Sequence, residues 1–343
     1  MQKISMKRAA LATGLALAAG LATNLARAQE SDSPGPAYYQ SLKGKKVGFV
    51  PISMGFDLTQ GWLAGMQRQA DELGYTITVR DPNWSVESGI QAINSLISEK
   101  PDVLVIQNSD DRSYNRLVKR ALESGIPTIQ VQQRVATVSD AFVGPDWVDI
   151  GTRTANALVA KCGKDSGKSG KVAIVQGARA APASILMLQG IEDAFKKHPE
   201  IQVVSSQAAD WDATKAYAIT STVLKQTPDL CGVAGFWDVA DVGTAGAIRE
   251  AGLQGKVSLV TSGGGKRDAS CEKIASGEFT VYHSYNVAGQ ARDLNSAIKM
   301  LLQARVKPGS APFALLSPLT MITKETITPT SCWMLDEIKQ AGG

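Results

Sequence analysis

Short apolar runs recur along the chain, each followed by a longer stretch with apolar residues at helical spacing. Lys46-Val47-Gly48-Phe49-Val50 is one such run, and Lys171-Val172-Ala173-Ile174-Val175 is another. Eighteen residues after the first valine of each run, a glycine sits inside a helical pattern, in Gly65-Met66 and Gly190-Ile191. Both helices lead to a β-rich run, 75–79 in one case and 201–204 in the other. Each copy then holds a helix ending in Pro-Asp before a strand: Pro101-Asp102-Val103-Leu104-Val105 and Pro228-Asp229-Leu230-Cys231-Gly232-Val233. A helix closed by Gly125 or Gly252 comes next, and then another strand. The offset between copies is 125 residues at Lys46/Lys171 and 127 at both Pro101/Pro228 and Gly125/Gly252. So small a drift marks one βαβαβ unit used twice.

Strands alternating with helices predict an α/β protein of two doubly wound parallel-sheet lobes, with right-handed crossovers and helices on both faces. Ligands in such lobes sit outside the carboxyl ends of the strands. The loops to watch are therefore 51–60, 107–112, 176–183, 236–241 and 262–267.

Composition agrees with this size of fold. Of 343 residues, 44% are hydrophobic and 20% charged, enough to bury two cores and to exclude wholesale disorder. The formal charge of +4 is concentrated at the start, where Lys3, Lys7, Arg8 and Arg27 meet no acid within residues 1–28. Without those four, 32 basic residues balance 32 acidic ones. That balance argues against the polycationic surface of a nucleic-acid or anionic-membrane binder.

The same segment reads as a cleavable signal peptide, 1–28. A basic start precedes an Ala/Leu-rich stretch, and Ala26-Arg27-Ala28 is an A-x-A site before Gln29. Thr13, Gly14, Gly20, Thr23 and Asn24 interrupt the apolar stretch, which argues against a membrane anchor. Lys7-Arg8 is not a twin-arginine pair, so the general secretory route and a soluble exported protein are expected. Cys162, Cys231, Cys271 and Cys332 include no C-x-x-C, so neither a zinc ribbon nor a thioredoxin motif is indicated. In an oxidising compartment they favour two disulfides, with three connectivities open, over buried free thiols.

Enzyme signals are weak. Gly163-Lys164-Asp165-Ser166-Gly167-Lys168-Ser169 has three residues between its glycines instead of four, and precedes a strand where a phosphate loop would follow one. Ser262-Gly263-Gly264-Gly265 opens no G-x-G-x-x-G helix, and G-x-S-x-G and H-E-x-x-H are both absent. There are only two histidines, and His198 lies at a charged helix end. No cofactor and no metal is called for.

The whole pattern resembles the periplasmic substrate-binding proteins of the ribose/galactose type (type I periplasmic binding proteins), which serve ABC importers. The resemblance covers nearly all of residues 45–325. It rests on Val47-Gly48-Phe49-Val50, Gly65-Met66 followed by Ala70-Asp71-Glu72-Leu73-Gly74-Tyr75, Ile106-Gln107-Asn108-Ser109-Asp110, Gly125-Ile126-Pro127 and Ala209-Asp210-Trp211-Asp212. It implies two lobes joined by three crossovers and closing on one small ligand. The expected first lobe is 45–137 plus about 284–317, and the second is 138–283 plus about 318–343, after an N-terminal extension at 29–44. It further implies a periplasmic monomer that delivers its ligand to an inner-membrane ABC permease. The alternative is a receptor that presents its bound form to a sensor kinase or chemoreceptor.

Candidate ligand residues follow from chemistry and resemblance together. Sugars present apolar C–H faces rimmed by hydroxyls, and are held by aromatic stacking plus carboxylates and amides. Trp147, Trp211 and Trp237 each adjoin an acid, Asp146, Asp212 and Asp238, in segments expected at strand ends. The competing reading is that each Trp covers a core edge while its Asp caps a helix. The resemblance adds Phe56 and Asp57 in the first loop, together with Asp110, and matches Asp146 and Trp211 to ligand contacts. The family's second-lobe Arg falls near Ile185, its Asn at Trp237, its later Asp near Gly263 and its Gln near His283. The expected ligand set is therefore Phe56, Asp57, Asp110, Asp146, Trp147, Trp211, Trp237, Asp238 and His283, with Arg134 or Arg179 as a replacement cation. So aromatic a pocket suits a less polar polyol or a modified sugar. The family also returns the tail to the second lobe, which implies Cys162–Cys231 and Cys271–Cys332 as the disulfides.

Overall fold

A computed structural model of the chain describes residues 35–304 and 306–340. The expected signal segment, 1–28, and residues 29–34 lie outside the described residues. Gly35–Leu42 forms a short helix, α1. The first sheet starts with β1 (Lys46–Val50), β2 (Thr76–Val79), β3 (Val103–Ile106), β4 (Thr128–Val131) and β5 (Ala141–Gly144). Between its strands run α2 (Asp57–Leu73), α3 (Val86–Glu99) and α4 (Asp111–Glu123).

After β5 the chain enters α5 (Trp147–Cys162) and builds the second sheet. Its elements are β6 (Lys171–Gln176), α6 (Pro182–Phe195), β7 (Gln202–Ala208), α7 (Ala213–Gln226), β8 (Gly232–Gly235) and α8 (Asp238–Glu250). They continue with β9 (Ser258–Gly263), α9 (Glu272–Ala275) and β10 (Val281–Ser284). Then α10 (Val287–Gln303) and β11 (Phe313–Leu316) return to the first lobe, β12 (Thr320–Ile322) to the second, and α11 (Leu335–Gln340) ends the described chain.

The sheet orders are β11-β5-β4-β3-β1-β2 and β12-β10-β9-β8-β6-β7. All pairs are parallel except β12 against β10. The two lobes thus repeat one doubly wound topology. The chain crosses between sheets at 145–146, 285–286 and 317–319, which makes three connections. One expectation needs correction. The second lobe was placed from 138, but β5 lies beside β4 in the first sheet, so the changeover falls after Gly144. β5 follows β4 with no helix between them, and the repeat pattern alone does not reveal which sheet such a strand joins.

Burial explains the strand sequences. β3, β4, β5 and β8 are buried along their full length, as central strands covered by helices on both faces must be. Ile93, Leu104, Ile106, Tyr114 and Val118 centre the first core, and Val223, Leu259, Phe279 and Tyr282 the second. The paired glycines of the repeat serve close helix approach. A Cβ on Gly65 would come within 2.9 Å of Ala291 in α10, and one on Gly190 within 2.2 Å of the Val148 carbonyl in α5.

Cys162 is joined to Cys231 and Cys271 to Cys332, the pairs that the resemblance implied. The first bridge ties the end of α5 to the entry of β8. The second anchors the tail, whose Trp333 indole Nε1 donates to the Gly264 carbonyl at 2.7 Å. Residues 163–169 form only a short 3-10 turn and loop between α5 and β6. No helix among the described residues is long and apolar enough to cross a membrane.

Candidate functional site

The carboxyl ends of both sheets meet at a small aromatic chamber. The first lobe contributes Phe56 from the β1–α2 loop, Trp84 from the β2–α3 loop, and Gln107, Gln132 and Gln133 from the ends of β3 and β4. The second lobe contributes Trp147 at the start of α5, Trp211 from the β7–α7 loop, and Phe236 and Trp237 after β8. Tyr285 closes it at the β10–α10 crossing. Every one of these segments leaves a strand at its carboxyl end, where the doubly wound topology opens a crevice.

The rings touch across the lobes. Phe56 stacks on Trp84 with centroids 5.2 Å apart, and meets Trp237 edge-on at 5.3 Å. Trp237 also meets Trp84 at 6.0 Å and Trp211 at 6.2 Å. Trp147 packs edge-on to Tyr285 at 5.7 Å. These spacings lie in the range favoured by aromatic pairs. Trp211 lies against Gly177, where any Cβ would come within 2.1 Å of its ring.

Backbone strain is concentrated here. Asn83, Trp84, Gln132, Asp210 and Trp211 all have positive φ, and they make up five of the seven such non-glycine residues among those described. A left-handed tryptophan is a sterically unfavourable conformer, held only where its surroundings demand it. Trp84 is absent from the expected set, yet a signal for it exists. Trp84 and Trp211 are separated by 127 residues, the offset of the repeat, and Ser85 and Asp212 beside them both cap the following helix. Gln132 carries no comparable signal.

Polar contacts join the lobes across the crevice. Trp147 Nε1 donates to the Gln132 carbonyl at 2.6 Å, and the Ala183 amide donates to Gln133 Oε1 at 3.2 Å. The Asp111 amide donates to the Ala180 carbonyl at 2.9 Å. At the rim Lys266 Nζ bridges Asp57 of the first lobe at 2.9 Å and Asp268 of the second at 3.0 Å.

The expected acids take other places. Asp110 accepts from the Ser113 amide at 2.7 Å as the cap of α4, and Asp146 accepts from the Val148 and Asp149 amides as the cap of α5. Asp238 is buried beneath the chamber, accepting from Ser270 Oγ at 2.7 Å and the Tyr282 hydroxyl at 2.8 Å. Its carboxylate fills the space that a side chain at position 263 would need. Desolvation raises its pKa, and raises that of Asp241 to about 7. His283 is buried in β10 with its imidazole near α5, where desolvation lowers its pKa to about 4. Of the nine expected residues, Phe56, Trp147, Trp211 and Trp237 line the chamber and Asp57 stands at its rim. Asp110, Asp146, Asp238 and His283 are not on its wall, because helix caps and buried hydrogen bonds engage the acids and the imidazole lies under a helix.

Neither candidate cation enters the chamber. Arg134 lies over the Phe142 ring at 5.8 Å in a wider groove of about 620 Å3 that also takes in Ile185. Arg179 is exposed and lines neither space. The groove is larger, but it lacks the convergence of rings from both lobes. Among the described residues no cluster of acids, histidines and cysteines could hold a metal ion.

Comparison with known proteins places this geometry in context. A sequence model described as "Periplasmic binding protein domain" matches residues 47–305. The D-allose-binding periplasmic protein of Escherichia coli is 26% identical over 210 residues, covering 58% of this chain and 67% of that protein. A fructose import binding protein of Bifidobacterium longum is 25% identical over 295 residues, covering 82% and 86%. The crystal structure of an ABC transporter solute binding protein from Agrobacterium vitis, bound with α-D-tagatopyranose, superposes with a TM-score of 0.72 at 21% identity. It covers 84% of this chain and 97% of that one.

Proposed function

The chain belongs to the periplasmic binding protein domain family, and from that premise we propose that it captures a sugar-like small molecule between its lobes and delivers it to an ABC importer. The observation that carries this reading is the chamber itself, with Phe56 and Trp84 from one lobe in ring contact with Trp237 of the other. Aromatic faces suit the C–H surfaces of a sugar ring. A ligand touching both lobes stabilises the closed form in proportion to its preference for that form. That form is what a permease in the inner membrane would read. The protein acts in the periplasm, as a binding protein without chemistry of its own. The named relatives include an import binding protein, so transport is preferred to the sensor-receptor alternative.

A thermal-shift screen across pentoses, hexoses, polyols and amino acids tests the proposal directly. A ligand at a thousandfold excess over its Kd raises stability by about 4 kcal/mol. Stabilisation confined to amino acids, or none by any sugar or polyol, counts against it.

A further inference from the structure

Among the described residues of the chamber wall, Gln132 has the amide with the most hydrogen-bonding capacity to spare. Gln132 is 2% exposed, and its side-chain amide makes no close hydrogen bond and reaches only the Tyr285 hydroxyl beside it on the wall. Its neighbours on the wall are anchored: Gln107 Oε1 accepts from the Ile52 amide at 2.9 Å, and Gln133 Oε1 from the Ala183 amide. The main chain of Gln132, in contrast, is fixed on both sides. Its amide donates to the Val143 carbonyl at 2.7 Å, and its carbonyl accepts from Trp147. The backbone is left-handed there, with φ at +64°. A buried amide with most of its hydrogen-bonding capacity unmet and a strained backbone both cost stability, and such costs persist where they serve a ligand.

Among the described residues no charged side chain lines the chamber. At the rim Asp57 and Lys266 neutralise each other. A charged ligand would be desolvated without a counter-ion, which is strongly unfavourable. A fully hydroxylated one would bury several hydroxyls against aromatic carbon, each unpaired hydroxyl weakening binding. An amide supplies two donors and one acceptor, and the Tyr285 hydroxyl, which the Gln132 side chain faces, adds one more group.

We propose that Gln132 is the hydrogen-bonding specificity determinant of this chamber, and that the ligand is an uncharged cyclic polyol with C–H surface in place of some hydroxyls, a deoxy or O-methyl sugar. This rests on reading the cleft as the ligand site. The rings, which here touch one another around about 30 Å3 of space, part to grip its two apolar faces, and the Gln132 amide pairs with the few polar atoms that remain.

Calorimetric titration of the purified chain tests it, with D-fucose and D-galactose, L-rhamnose and L-mannose, methyl β-D-galactopyranoside, D-gluconate and D-glucosamine as probes. Deoxy and methylated members should bind at least tenfold more tightly than their parents, and gluconate and glucosamine should not bind. Gln132→Ala and Gln132→Asn should each weaken the best probe at least tenfold, with a melting temperature of the free chain no lower than the parent's. Asparagine tolerates the left-handed backbone and keeps the amide, but is one methylene short. Wild-type affinity in both variants, or tight binding of gluconate or glucosamine, would overturn the proposal. Trp237→Ala separates the two levels. Sugar binding that depends on Trp237 and not on Gln132 sinks only this inference. Binding left unweakened by Trp237→Ala, or no binding by any neutral probe, sinks the cleft reading as well.

Discussion

Replacing Gly177 by alanine should dislodge Trp211 while leaving the second lobe folded. A methyl at 177 would lie 2.1–2.3 Å from three carbons of the Trp211 ring, where ordinary contact begins at 3.4 Å. Those atoms are the far end of a side chain, whereas Gly177 directly follows β6, hydrogen-bonded into the sheet on both sides. The ring therefore yields and the strand does not. Retreating, it forfeits its edge-on contact with Trp237, worth about 0.5–1.5 kcal/mol for an aromatic pair. Stability should fall by about 1 kcal/mol, or a few degrees of melting temperature for a chain of this size. Affinity should suffer more, by about 1–3 kcal/mol, because one face of the chamber is lost to the ligand. Thermal unfolding and calorimetric titration, on the parent and on Gly177→Ala, give both numbers. Equal affinity and equal melting temperature would refute the seating of Trp211 on this glycine. A loss beyond about 4 kcal/mol would show that the backbone absorbs the methyl, since overpacking alone costs about 1–3 kcal/mol.

Other expectations follow from the same geometry. Trp237 touches three other rings, so Trp237→Ala should cost about 1–3 kcal/mol of ligand affinity and abolish most of the ligand-induced change in intrinsic fluorescence; an unchanged fluorescence response would place the ligand elsewhere. Breaking Cys271–Cys332, which closes a separation of 61 residues, should lower stability by about 4 kcal/mol in the chain-entropy picture, read from denaturant midpoints of Cys271→Ser/Cys332→Ser. His283 is neutral in the fold with a pKa of about 4, below the ordinary 6.5, so its unfolded form takes up a proton first as the pH falls. Stability from this group is complete above pH 6.5 and is lost towards pH 4, by about 3 kcal/mol. Asp241, raised to about 7, favours the fold at low pH and opposes this slope, so the measurement is the difference between the parent and His283→Gln across pH 4–7. A difference that does not vary with pH would show that the imidazole does not titrate as its burial demands.

Much of the fold was legible because it is written twice. A βαβαβ unit repeated at 125–127 residues fixes strand order, helix placement and the crevice at the carboxyl edges, since parallel strands accept only right-handed crossovers. The boundary after Gly144 was not legible. β5 follows β4 with no helix between them, so no change of period announces which sheet it joins. The tail shows the same limit in another form. α11 packs on α2, and Arg68 Nη1 donates to the Ile338 carbonyl at 2.9 Å, so a segment pinned to the second lobe by Cys332 also rests on the first.

At the site, residue type was a better guide than residue charge. Tryptophans at strand ends in both lobes had a shared destination in the crevice, where Trp147 and Trp237 are buried while Trp84 and Trp211 keep part of their surface exposed. An aspartate at a strand end has two destinations, the crevice and the next helix. In a doubly wound lobe the residue before each helix meets unpaired amides within hydrogen-bond reach, and Asp110, Asp146 and Asp212 all went there. Capping engages one oxygen of Asp110 and of Asp146 and holds each carboxylate at the start of its helix. With these acids at helix starts, the described wall of the chamber is made of amides and rings. Gln132 was invisible for a related reason. Its role depends on a left-handed backbone and on the pairing of its main chain with Val143 and Trp147, and Gln-Val-Gln-Gln at 130–133 reads from sequence alone only as the polar end of a strand.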